Sequence, residues 1–137
     1  MRREHVTPLI ATLEAQFGHN YVDHVMDNYT LRNVMAMNMA SNPDRETEGG
    51  RIVATLNPTG SGELVIGMDA QANAHSNRST MNQLTMPYQN AARVPDAEFE
   101  QVGIFGEWTQ TVAVQQRIIA GLRLDDWSAT DLRATRS

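Results

Sequence analysis

Apolar residues fall into two rhythms along this chain. Near the N terminus Leu9, Ile10, Leu13 and Phe17 recur at helical spacing, with Glu14 and Gln16 off the stripe. Thr7 suits the cap of such a helix, Pro8 its first turn, and Gly18 the position just past its end. The pattern predicts an N-terminal helix and a second short one from Asn20 to Asn28, with Tyr21, Val22 and Val25 turned inward.

From Tyr29 the period changes to two. Tyr29, Leu31, Met35, Met37 and Met39 alternate with Thr30, Arg32, Ala36 and Asn38, broken only at Asn33 and Val34, which reads as a strand with its methionines on one face, although Ala and Met also favour helix. Ser41 to Gly50 reads as a polar connection, with Asn42-Pro43-Asp44 as a turn signal. The centre of the chain is a predicted β-hairpin. Ile52, Ala54 and Leu56 alternate on one side of Asn57-Pro58-Thr59-Gly60-Ser61-Gly62, and Leu64, Ile66 and Met68 on the other. Ile52, Leu56, Leu64 and Ile66 are the expected buried face of that hairpin.

Ala70 to Pro95 is rich in Gln, Asn, Ala, Ser and Thr and holds no acid. It reads as an extended arm or lid that needs a surface to lie on. Phe99, Val102, Ile104 and Phe105 suggest a short strand ending near Gly106. Thr109 to Leu124 fits a long strand better than a helix, with Val112, Val114, Ile118, Ala120, Leu122 and Leu124 on one face and Gln116 discordant. Asp125 or Ser128 can cap a short terminal helix docked by Trp127, and Trp108 reads as the anchor of a strand end.

The sequence therefore predicts an α+β domain. An N-terminal helix or helix pair packs on an antiparallel sheet of four to five strands, with a long polar arm inserted after the central hairpin. Its parts are 1–28 (helical), 29–69 (strands with the hairpin), 70–95 (arm), 96–124 (strands) and 125–137 (short helix and tail). A length of 137 residues suits a single domain with an ordinary core.

Composition removes whole classes of chemistry. There is no cysteine, so no disulfide framework, thiolate zinc site, iron–sulfur cluster or cysteine nucleophile. All eleven basic residues are arginine, which excludes a Walker A loop, a Schiff-base lysine and a Ser–Lys dyad. A net charge of −5 argues against nucleic-acid binding. No apolar run approaches the roughly 20 residues of a membrane helix, and none follows Met1-Arg2-Arg3 as in a signal peptide. The expectation is a protein without a membrane partner, cytoplasmic or part of a virion.

Three constellations invite chemistry, and each has a plainer reading. His19, Asp23 and Asp27 step by four and could share a helix face as metal ligands. Gly18 interrupts that helix and no second ligand cluster supports it, so no tightly bound metal is expected. Asp69 and His75 lie near Ser76 and Ser79, but no nucleophile elbow accompanies them. Glu98, Glu100 and Glu107 could form an acid–base pair, yet Glu98 and Glu100 flank Phe99 and so face solvent. No catalytic residue, metal site or cofactor is therefore expected. Met35, Met37, Met39 and Met68 read as core.

The function that fits is a non-enzymatic structural or interaction protein that self-assembles, with a small virion component such as a capsid, head–tail-joining or tail protein as the analogy. The alternative is a small enzyme or ligand-binding domain with 70–95 as a lid. In the first reading the arm contacts another copy through Arg78, Met81, Leu84, Met86, Tyr88 and Arg93.

Overall fold

A computed structural model of the chain describes residues 2–4, 7, 9–31 and 37–133. Of these, 76% lie in strands and none in an α-helix, so the expected α+β fold gives way to an almost wholly β one. The strands are β1 (Arg2–Glu4), β2 (Ile10–Asp23), β3 (Met26–Asp27), β4 (Ala40–Thr59), β5 (Gly62–Thr80), β6 (Val94–Ala113) and β7 (Gln116–Asp131). They form one antiparallel sheet in the order β1-β2-β4-β5-β6-β7, with β3 also paired to β4. β1 sets Arg3 against Leu13, and β3 sets Asp27 against Ala40. Most neighbours in the sheet are neighbours in sequence, which makes it a meander of long hairpins.

The N-terminal helix is absent because a spacing of four satisfies both periods. Leu9, Leu13 and Phe17 recur every helical turn, but they are also alternate positions of a two-residue repeat that runs Leu9, Ala11, Leu13, Ala15, Phe17. Thr12, Glu14 and Gln16 occupy the other face. The expected second helix ends the same strand and continues through β3. For 29–39, positions 32–36, and Met35 with them, lie outside the described residues. The flanking residues 29–31 and 37–39 are irregular.

Other boundaries move for related reasons. The turn signal at Asn42-Pro43-Asp44 is overridden, and these residues belong to β4. The central hairpin closes over Gly60 and Ser61, a shorter loop than expected. Residues 70–80 of the expected arm are the second half of β5, and only 81–93 connect it to β6 through one 3₁₀ turn at Tyr88–Asn90. Alternation of Ala70, Ala72 and Ala74 with Gln71, Asn73 and His75 is the period of that strand, muted because alanine is a weak strand former. The long segment 109–124 is broken by a turn at Val114 and Gln115, next to the discordant Gln116. The terminal helix is replaced by the end of β7, and Trp127 is exposed.

Close contacts divide the chain into two units, Met1–Gly18 with Glu48–Gln71 and Glu100–Ser128, and His19–Thr47 with Ala72–Phe99 and Ala129–Ser137. The first unit has two unlike faces. Arg123 pairs with Asp69 at 2.8 Å and with Asp125 at 2.6 Å, and Gln101 donates to Asp125 at 3.1 Å. Arg51 and Arg123 both lie over the Phe105 ring, at 4.9 and 5.8 Å. These contacts place Arg51, Asp69, Gln101, Phe105, Arg123 and Asp125 on one side of the sheet. Alternation then puts Ile52, Met68, Ile104, Leu122 and Leu124 on the other. Phe17 lies against Gly50, and Ile66 against Gly106, on that same apolar side.

That apolar side is bare. Ile52 is 52% exposed and Ile66 42%, while Leu56 and Leu64 are only half-buried. The expected buried hairpin face is thus corrected: alternation is present, but no second layer among the described residues covers it. Met68, expected in the core, is exposed too.

The polar side is held by close approach at glycine. A Cβ on Gly67 would strike the Phe105 ring, with Cε1 2.8 Å away and the Ile52 carbonyl oxygen at 2.9 Å. Glycine in a strand often marks such an approach. Gly67→Ala is expected to cost about 1–2 kcal/mol by overpacking. An unchanged unfolding midpoint and unchanged Phe105 chemical shifts in that variant would show that the ring does not rest there.

Candidate soft-metal site

In the second unit the short strand β3 and the start of β4 bring three methionines together. Met26, Met39 and Met81 line one open cleft, with Asn28, Ser41 and Asn77 among its walls. Met26 is 54% exposed and Met81 55%, so both residues are open to solvent.

The polar groups around the cleft are engaged with one another. Asp27 accepts from the Tyr29 amide at 3.0 Å and from the Thr30 amide and hydroxyl at 2.7 and 2.5 Å. The Thr30 and Tyr29 bonds outweigh desolvation and hold the Asp27 carboxyl below its ordinary range. Asn28 clasps the other methionine segment, donating to the Met37 carbonyl at 3.1 Å and accepting from the Met39 amide at 2.9 Å. Ser41 donates to Asn77 at 3.0 Å. What the cleft offers an ion is therefore soft sulfur rather than hard carboxylate, a donor set suited to Cu(I).

Behind the cleft lies a saturated polar network. Asn42 is the most deeply buried large side chain among the described residues, at 1% exposure. It donates to the His24 carbonyl at 2.9 Å and to Asp23, and accepts from Arg78 at 2.7 Å and Arg93 at 3.1 Å. Arg93 also pairs with Asp23 at 3.1 Å and Asp44 at 3.0 Å. Asp44 further accepts from Ser76 at 2.5 Å and Tyr21 at 2.8 Å.

This fold is similar to that of the copper transporter OprC. The likeness has a TM-score of 0.86 and 38% sequence identity, over 95% of this chain. The chain spans 21% of the length of the OprC chain it matches. No protein-family model and no curated protein matches the sequence. Likeness to OprC overturns the virion reading, and the all-β fold removes the capsid-like α+β description that went with it.

The residues singled out from sequence are scattered by this fold. Arg78 and Arg93 enter the polar network, and Arg78 also lies 5.3 Å over the Tyr88 ring. Met81 lines the methionine cleft, whereas Leu84 and Met86 on the 81–93 connection are exposed. His19, Asp23 and Asp27 do not converge. His19 bonds Glu46 at 2.9 Å, Asp23 joins Arg93, and Asp27 closes its own turn. His75 sits edge-on to Phe99 at 5.4 Å, while Ser76 serves Asp44 and Asp69 serves Arg123. Glu98, Glu100 and Glu107 are exposed on β6. Met37 and Met39, expected in the core, are exposed as well. Sequence reading missed Met26 as a site residue. Its available signal was two methionines, Met26 and Met39, bracketing a segment with two more.

Proposed function

We propose that the chain forms part of the wall of a membrane-spanning β-barrel that moves a soft metal ion, Cu(I), and that Met26, Met39 and Met81 capture the ion. The observation that carries this reading is the pair of unlike faces in the first unit. Leu13, Phe17, Ile52, Ile66, Ile104 and Leu122 lie bare on one side, and an arginine–carboxylate network lies on the other. A membrane barrel wall is built this way, apolar toward lipid and polar toward the lumen. Strand length supports it: β4 and β6 have 20 residues each, and a tilted strand crosses the hydrocarbon with about 9–11.

No helix among the described residues is long and apolar enough to cross a membrane. On this reading the chain lies in a membrane rather than in the cytoplasm expected from the sequence. The sheet has β1 and β7 at its two edges, so a closed wall needs further strands. Exposed Leu84 and Met86 on the 81–93 connection fit contact with another part of such an assembly.

The cargo reading rests on the thioether cleft together with the likeness to a copper transporter. Titration of the full chain in detergent with Ag(I), a Cu(I) surrogate, should show saturable binding that perturbs the methyl resonances of Met26, Met39 and Met81. Met26→Leu should weaken it by an order of magnitude or more without a matching change in Zn(II) binding. Equal Ag(I) affinity in the two proteins would sink the assignment.

A further inference from the structure

We infer that Asn42 is a positioning residue for the metal cleft, and that the Asn42–Arg93 network sets the bend that presents Met26. The inference rests on the cargo reading just given. β2 ends at Asp23 and β3 begins at Met26, so only His24 and Val25 separate a long strand from the methionine. Two bonds tie this link to β4. The His24 amide donates to the Pro43 carbonyl at 3.3 Å, and the His24 carbonyl accepts from Asn42 at 2.9 Å. Asn42 also grips Asp23, the residue on which β2 ends.

The side chain can do this only because its own oxygen is held. Arg78 and Arg93 both donate to Asn42 Oδ1, which fixes the amide so that its nitrogen faces His24 and Asp23. Arg93 then returns to Asp23 and to the Asn42 carbonyl, the latter at 3.0 Å. The link is thus clamped from a buried amide whose every polar atom has a partner. Buried polar groups behind a metal site orient the residues that touch the ion, and losing one commonly weakens the metal by about 10–100-fold.

The rest of the network gives a control. Ser76 bonds Asp44, whereas the Asn42 amide is held by Asp23, His24, Arg78 and Arg93, so Ser76→Ala weakens the network without freeing the link. Asn42→Asp keeps the shape and the oxygen facing the arginines but replaces the donor with a second acceptor opposite His24 and Asp23.

Ag(I) affinity, the Met26 methyl shift and strand content are to be measured on the full chain in detergent for five proteins. These are the unaltered chain, Asn42→Asp, Asn42→Ser, Ser76→Ala and Met26→Leu. The expected result is weaker binding by about 10–100-fold in both Asn42 variants, a moved Met26 methyl resonance in the metal-free protein, and near-normal affinity in Ser76→Ala. If Met26→Leu weakens Ag(I) but the Asn42 variants bind like the unaltered chain, the positioning role is overturned and the cargo reading stands. If Met26→Leu has no effect, the cargo reading falls, whatever Asn42 does. Equal losses in Ser76→Ala and the Asn42 variants, or Asn42 variants that do not form the sheet, assign the network to stability alone and also overturn the inference.

Discussion

If the chain is part of a barrel wall as proposed, replacing Ile66 with arginine is expected to destabilise the inserted sheet by about 2–4 kcal/mol, the penalty of a cation on a lipid face near the bilayer middle. Ile66 lies on β5, inside the sheet between β4 and β6, and its Cγ2 sits 3.8 Å from the Cβ position of Gly106 on the apolar side. Leu64 and Met68 extend the same face along the strand. Thr55 belongs to the opposite side, with Arg51 and Val53, so Thr55→Arg should have a small effect. Folding of the closed barrel that contains these strands into phospholipid vesicles, followed by urea titration of the inserted form, separates the two substitutions. Equal tolerance of arginine at positions 55 and 66 would remove the lipid-facing assignment.

A second large effect is expected at Arg93. Its guanidinium serves Asp23, Asp44 and the Asn42 carbonyl at once, and Asp44 is 9% exposed. Arg93→Met leaves a buried carboxylate without its cation, which typically costs about 3–5 kcal/mol, and the partial exposure of Arg93 places this case near the lower end. Denaturant midpoints of the unaltered chain and Arg93→Met test this, and equal midpoints would contradict it.

The sequence by itself determined the periodicities and the chemical exclusions. Absence of cysteine and lysine needs no fold to be informative, and alternation at Ile52–Leu56 and Leu64–Met68 set a hairpin across 57–62, which the structure closes over Gly60 and Ser61. Alternation in 9–17 was equally present but shared its spacing of four with a helix. Only pairing with β1 and β4 decides for the strand, because a helix there would leave the edge of β4 unbonded. The polar stretches 41–50 and 70–80 looked like loops, since local composition favours turns. In the sheet their backbones are bonded on both sides, which outweighs weak strand propensity. Which way the apolar face looks was beyond the sequence. Alternation distinguishes two faces and does not say whether a core or lipid meets one of them. The methionine cleft depended on tertiary structure still more, since Met26, Met39 and Met81 meet only when the β2–β3 link and the end of β5 are brought to the start of β4.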